Sequence, residues 1–200
     1  MELFALGLTG VYVVVYVFLC LLTLAASVAT YVLHSIGLYK IAERRYDHSI
    51  FAWIPFARSW LLGKLADQYE EAVHNKKTRY GTLLLGFSIA TASVYLIIFV
   101  VMFAGIFITL LLDKGENGLT WMLGLLVVVL FIYLFLTIAY MVFFYLALYR
   151  LYKSSDEQNA VTYIVLSIFV RITMPVFIFL CGKKDSPAMQ DYLWRRRNFR

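Results

Sequence analysis

Three stretches of this chain carry no charged residue over 31 to 33 positions each: 3–33, 80–112 and 119–149. About 20 apolar residues suffice to cross a bilayer as a helix, and no soluble core of a 200-residue chain hides three such runs. The remaining composition agrees, with 62% hydrophobic and only 15% charged residues. A β-barrel is excluded, because barrel strands are short and alternate apolar with polar residues. The sequence therefore predicts an all-α integral membrane protein. One helical domain covers 1–181, and a basic amphipathic tail covers 182–200.

A fourth apolar stretch, 160–181, is ambiguous. It is long enough to cross, but Arg171 would then sit near the bilayer midplane, where an arginine costs roughly 2.5–3.5 kcal/mol on insertion scales. Pro175 adds a local objection, since its ring clashes with the carbonyl four residues back, which belongs to Arg171. The reading favoured here is a segment that dips in and returns to the same side. The alternative is a fourth transmembrane helix, kinked, with a partnered Arg171.

The segment 47–66 is apolar but interrupted by Pro55, Arg58 and Lys64. Pro55 suits the first turn of a helix. On that helix Ala52, Ser59, Gly63 and Ala66 form a small side, fit to pack on a neighbour. Trp53, Phe56 and Trp60 form an aromatic side, fit for the headgroup layer. This predicts an interfacial or re-entrant helix that runs on through Asp67, Glu70, Glu71 and His74.

Counting Lys and Arg decides between topologies. With three spans and both ambiguous segments on the cytoplasmic side, 16 lie inside, Lys114 lies outside and Arg171 lies in the last apolar segment. If 160–181 crosses, the split falls to 10 against 7. Short loops favour positive charge on the cytoplasmic side, so the N-terminus is expected outside and the C-terminus inside. The first run lacks the basic start of a signal peptide and is read as a retained helix.

Small-residue pairs occur at Ala25/Ala29, Ala26/Thr30, Gly86/Ala90 and Ser88/Ala92, the spacing that lets membrane helices approach closely. There is also a hint of duplication. Gly37-Leu38-Tyr39-Lys40 closes the first long run and Ala147-Leu148-Tyr149-Arg150 closes the third. Each is followed by a polar stretch and then an apolar segment with one arginine and one proline, running in the same direction as parallel repeats do.

No nucleotide-binding, zinc-protease or serine-hydrolase motif is present, so no catalytic residue, cofactor or metal is expected. Glu71 and His74 have the spacing of di-iron carboxylate helices, but such sites need a second copy and further glutamates. His34 and His48 flank the first basic loop and are read as interface residues. The two cysteines, Cys20 and Cys181, lie in apolar runs and predict no disulfide. Arg171 and Arg58 are the leading substrate or partner candidates, because charge within an apolar segment is expensive. Trp53, Pro55, Trp60, Gly63 and Asp67 join them. Trp194 with Arg195, Arg196 and Arg197 suits anionic lipid headgroups of the cytoplasmic leaflet. Nucleic acid is not an expected partner.

The segment 37–69 contains Ala52-Trp53-Ile54-Pro55-Phe56, followed by Leu62-Gly63-Lys64 with Ala66 and Asp67. It resembles a pattern found in uncharacterised multi-pass membrane proteins of Gram-positive, largely anaerobic bacteria. The resemblance implies a bacterial cytoplasmic membrane and brings no activity with it. The favoured function is a non-enzymatic polytopic protein that works by helix–helix association with itself or other membrane proteins. The alternative is a small oligomeric transporter or channel for an anionic solute, using Arg58 and Arg171.

Overall fold

The structure, a computed structural model, describes residues 2–45, 48–112, 117–170 and 172–198, with side-chain surroundings for 13–45, 48–105, 123–170 and 172–198. Arg171, Lys114, Tyr46 and Asp47 lie outside the described residues. The described chain is all helical. Seven α-helices follow one another: α1 (Glu2–Arg45), α2 (Pro55–His74), α3 (Tyr80–Leu112), α4 (Asn117–Ser155), α5 (Ala160–Phe169), α6 (Thr173–Cys181) and α7 (Pro187–Asn198). A short 3-10 segment, Ser49–Trp53, precedes α2. Three helices are long and apolar enough to cross a membrane, within Val13–Arg45, Tyr80–Gly105 and Leu123–Ser155.

Two of the three long helices outlast their uncharged runs, whereas α3 coincides with its own. α1 continues through Lys40, Arg44 and Arg45, and α4 continues through Arg150 and Lys153 to Ser155. The reason is packing. Leu38, Ile41 and Ala42 of α1 and Leu148, Leu151 and Tyr152 of α4 are fully buried at this shared end. Higher up, residues 13–29 of α1 are exposed throughout, as are most of the side chains of α4 between 123 and 135. The core therefore sits at one end of the bundle, and the bare apolar shafts rise from it.

That end is held by a buried polar clamp. The Arg45 side chain donates to Ser154 Oγ at 2.7 Å, to Ser155 Oγ at 3.2 Å and to the Ser154 carbonyl at 3.3 Å. It also forms a close ion pair with Asp185, and Arg44 reaches the same carboxylate at 3.4 Å. Arg44 further donates to the Cys181 carbonyl at 3.3 Å. The end of α1, the end of α4 and the link after α6 thus meet at one point.

α2 buries one side in the bundle and leaves its start exposed. Leu61, Leu62, Leu65 and Ala66 are buried between α3 and α4, and Phe56 and Trp53 are exposed. The small side is used as the sequence suggests. A Cβ on Gly63 would fall 2.6 Å from Gly81 Cα, so two glycines let α2 and α3 cross in backbone contact. α2 ends at Asn75, whose φ of 52° is the left-handed cap that asparagine tolerates.

The stretch 160–181 is two helices, not one. α5 ends where Val170 leaves helical geometry (φ −122°, ψ 87°), and α6 starts at Thr173. Pro175 falls in the first turn of α6, where a missing N–H breaks no helical bond. The Thr173 hydroxyl stitches the turn, with its oxygen 2.7 Å from the Val170 carbonyl and 3.2 Å from that of Leu166. The two helices lie against each other, with Tyr163 stacked on Phe177 at 4.7 Å and Tyr152 edge-on to both. α5 leaves the end of α4, and α6 returns to the clamp beside α1. A Cβ on Gly37 of α1 would lie 2.8 Å from the Phe179 nitrogen, so α6 packs on bare α1 backbone.

Candidate functional site

Between α1, α2, α4 and α6 lies a cavity of about 450 Å³. α1 contributes Ser27, Thr30, Tyr31 and His34, and α2 contributes Pro55, Arg58, Ser59 and Leu62. α4 closes it with Tyr140, Met141, Phe144 and Tyr145, and the hairpin adds Ile172, Met174 and Pro175.

Chain path explains why these residues meet. Tyr31 stands 14 residues before the end of α1, or roughly 21 Å up the helix. The chain leaves α1 at the clamp and climbs back until the Trp53 carbonyl accepts a hydrogen bond from the Tyr31 hydroxyl. α2 then descends from that level. Pro55 fills its first position, and Arg58 follows one turn later. The Arg58 guanidinium lies over the Tyr31 ring at 4.8 Å.

Arg58 has no ion pair among the described residues, although every guanidinium is charged at any pH a protein meets. His34 is 8% exposed, and its Nε2 has no hydrogen-bond partner. The small hydroxyls are turned away. Ser27 donates to the Thr23 carbonyl at 2.7 Å, and Ser59 to the Phe56 carbonyl at 2.7 Å. The cavity thus has one permanent cation, with His34 buried in its wall, and a lining that mixes tyrosines and small hydroxyl residues with apolar side chains; no carboxylate of the described residues lines it.

Several residues singled out from sequence have other roles. Asp67 Oδ1 accepts the Thr78 hydroxyl at 2.6 Å and the Tyr80 N–H at 2.9 Å, and Oδ2 accepts the Gly81 N–H at 3.2 Å. It caps the start of α3 from α2. Gly63 makes the adjacent backbone crossing, so the Leu62-Gly63-Lys64 and Ala66-Asp67 pattern is a device for joining α2 to α3. Trp60 stands edge-on to Phe51 at 5.5 Å, and Lys64 lies 5.9 Å from its ring. Trp53 is exposed and enters only through its carbonyl.

Glu70 pairs with Arg150 at 2.7 Å and with His74 at 3.3 Å, and Glu71 accepts the Tyr192 hydroxyl at 3.0 Å. No metal-ligand cluster occurs among the described residues. In α7, Trp194, Arg195 and Arg197 are exposed and Arg196 is half-buried. The buried Ser186 hydroxyl has no hydrogen-bond partner among the described residues. Its backbone N–H instead donates to the Ser154 carbonyl at 2.9 Å. The small pairs Ala25/Ala29 and Gly86/Ala90 make no close approach within the chain, and a Cβ on Gly86 would meet open space.

Tyr31 is a cavity residue that the sequence reading does not name, and His34, read there as an interface residue, lies in the cavity wall. A signal existed for Tyr31 and His34: they are the polar members at helical spacing beside the first basic exit. Fold and cavity together define an all-α chain with three helices fit to cross a membrane and a cationic cavity among them. No family model, curated protein or solved structure matches the chain.

Proposed function

We propose that the chain is a multi-pass membrane protein that binds an anionic ligand in the cavity at Arg58. The observation that carries this reading is a charged guanidinium facing a cavity with no carboxylate to neutralise it. A desolvated cation is costly unless paired, so an anion entering this space gains charge-assisted hydrogen bonds at little further desolvation cost.

The membrane placement belongs to the same proposal. α1, α3 and α4 cross, and the 160–181 hairpin is re-entrant, entering and leaving on the side of the clamp. That side is cytoplasmic by the positive-inside bias, with the N-terminus outside. A bacterial cytoplasmic membrane follows from the resemblance of segment 37–69. Trp194 and the Arg195, Arg196 and Arg197 cluster then face anionic headgroups.

The test is thermal unfolding of the purified full chain in mild detergent with phosphate, glycerol 3-phosphate and a dicarboxylate. At least one anion should raise the melting temperature of the wild type and fail to do so for Arg58→Gln. Equal shifts in both proteins would remove the reading. A C-terminal reporter at Arg200 that lands outside would remove the topology.

Association with a partner is a second reading, favoured by one observation. The Ala25/Ala29 pair stands on the bare shaft of α1, where residues 13–29 touch nothing else in the chain closely enough to be buried. Membrane helices use such faces to pack. A monomer in mild detergent, unchanged by Ala25→Leu, would argue against it.

A further inference from the structure

The cavity is not the only space at α4. An apolar groove of about 550 Å³ runs along the outer side of this helix, from Thr137 and Ile138 through Val142 and Leu146 to Tyr149, with Ile164 of α5 as its far wall. Met141 and Tyr145 line both the groove and the cavity. The two spaces are therefore neighbours across one pair of side chains. One contains a cation and polar atoms, and the other is almost wholly apolar. Each falls in the size range of a site for a small molecule.

Resting on the anion-site reading above, we infer that the ligand is an anionic phospholipid. Its phosphate lies at Arg58 and His34, and one acyl chain lies in the groove along α4. Charge complementarity selects the head. A phosphate oxygen pair matches the planar fork of the guanidinium, and the absence of any cavity carboxylate removes the usual competitor. Continuity selects the tail. A headgroup held at Arg58 leads its chain past Met141 and Tyr145 into a groove that only hydrocarbon fills well. A free anion would use the cavity and leave the groove without purpose. The groove faces outward on a helix whose neighbouring side chains, such as Ile138 and Phe135, are among the exposed apolar ones, so the chain end stays in contact with bilayer lipid.

Native mass spectrometry of the detergent-purified full chain tests this, titrated with dioleoyl phosphatidylglycerol, dioleoyl phosphatidylcholine and glycerol 3-phosphate. Phosphatidylglycerol should bind at least about tenfold more tightly than either of the others, the scale of one charge-assisted contact combined with a buried chain. Ile138→Trp, on the exposed wall of the groove, should weaken phosphatidylglycerol and leave glycerol 3-phosphate unchanged. Arg58→Gln should weaken both, and Arg58→Lys, which keeps the charge and loses the fork, should weaken both less.

If glycerol 3-phosphate binds as tightly as phosphatidylglycerol, or Ile138→Trp changes nothing, the lipid inference fails and the anion site stands. Binding that depends on the tail arginines and not on Arg58 overturns both readings. So does a wild type that binds none of the three.

Discussion

Asp185→Asn is the sharpest perturbation of this fold, because one carboxylate serves two arginines from the far end of the chain. The Arg45 side chain is 0% exposed and that of Asp185 10%. Removing the negative charge leaves the Arg45 guanidinium buried with neutral partners only: two serine hydroxyls and one carbonyl. Breaking a buried pair by deleting one partner costs about 3–5 kcal/mol. The three remaining hydrogen bonds place the expected loss near the lower limit, about 3 kcal/mol. For a chain of this size that lowers the melting temperature by about 6–12 °C. The assay is thermal unfolding in mild detergent, with trypsin cleavage at the exposed Lys183 and Lys184 as the local readout. Cleavage there should accelerate before the shafts unfold. Replacing both partners, as in Arg45→Met with Asp185→Leu, should recover most of the loss, because the desolvation penalty disappears with the charges. A drop below about 2 °C for Asp185→Asn, with unchanged cleavage, would refute the clamp as the feature that fixes the hairpin's return.

Gly63→Ala should destabilise by more than about 1 kcal/mol, because its Cβ meets Gly81 backbone that cannot move aside, whereas Gly86→Ala should be neutral or stabilising by up to about 1 kcal/mol. Parallel melting curves of the two variants decide it. Asp67→Ala should cost about 2 kcal/mol and Asp67→Asn less, with faster hydrogen exchange at the Tyr80 and Gly81 amides as the local signature. Asp156 accepts from the Asn159 side chain at 2.9 Å, and this bond holds its carboxyl below the ordinary value of 3.8. A depressed carboxylate pKa stabilises the fold above the unfolded value, and that contribution disappears as pH falls through the folded one. Asp156→Ala should therefore lower stability slightly at neutral pH and flatten its loss below about pH 4, the effect being small because the group is solvated.

What sequence reveals here is what depends on neighbours along the chain. Run length alone marks α1, α3 and α4, since an uncharged stretch of that extent has few other solutions. The break in 160–181 has its local signal in Pro175, whose ring weakens a helix there, although a kinked continuous helix is also compatible with the sequence. The two faces of α2 are legible from helical spacing, and the structure buries Ser59, Gly63 and Ala66 as that spacing suggests. What stays hidden depends on residues distant in sequence. Asp185 is 140 positions from Arg45, and no local pattern announces their pairing. Asp67 reads as a substrate or partner candidate until α3 is laid across it and its carboxylate caps that helix. The Ala25/Ala29 pair shows the converse, because its spacing is right and both residues stand exposed among the described residues. The close approaches occur at Gly37, Gly63 and Gly81, where a neighbour happens to pass.

The hint of duplication acquires structural content from the path of the backbone. α1 ends at the clamp, the chain climbs to the level of Trp53, and α2 descends. α4 ends at the same clamp, α5 climbs, the chain turns near Val170, and α6 descends. α6 packs on α1 and α2 packs on α4, so each long helix is matched to the other half's descending helix. The shift that takes Gly37 to Ala147 also takes Thr30, Tyr31 and His34 to Tyr140, Met141 and Phe144, and all six line the cavity. The two walls correspond under that shift, and they differ in chemistry at two of the three positions. Tyr31 and His34 stand with Arg58 on one side, where their counterparts Met141 and Phe144 are apolar. A symmetric binder of a simple ion has no use for that difference. The proposed lipid fits it, since the polar wall faces its phosphate and Met141 of the other wall leads to the apolar groove.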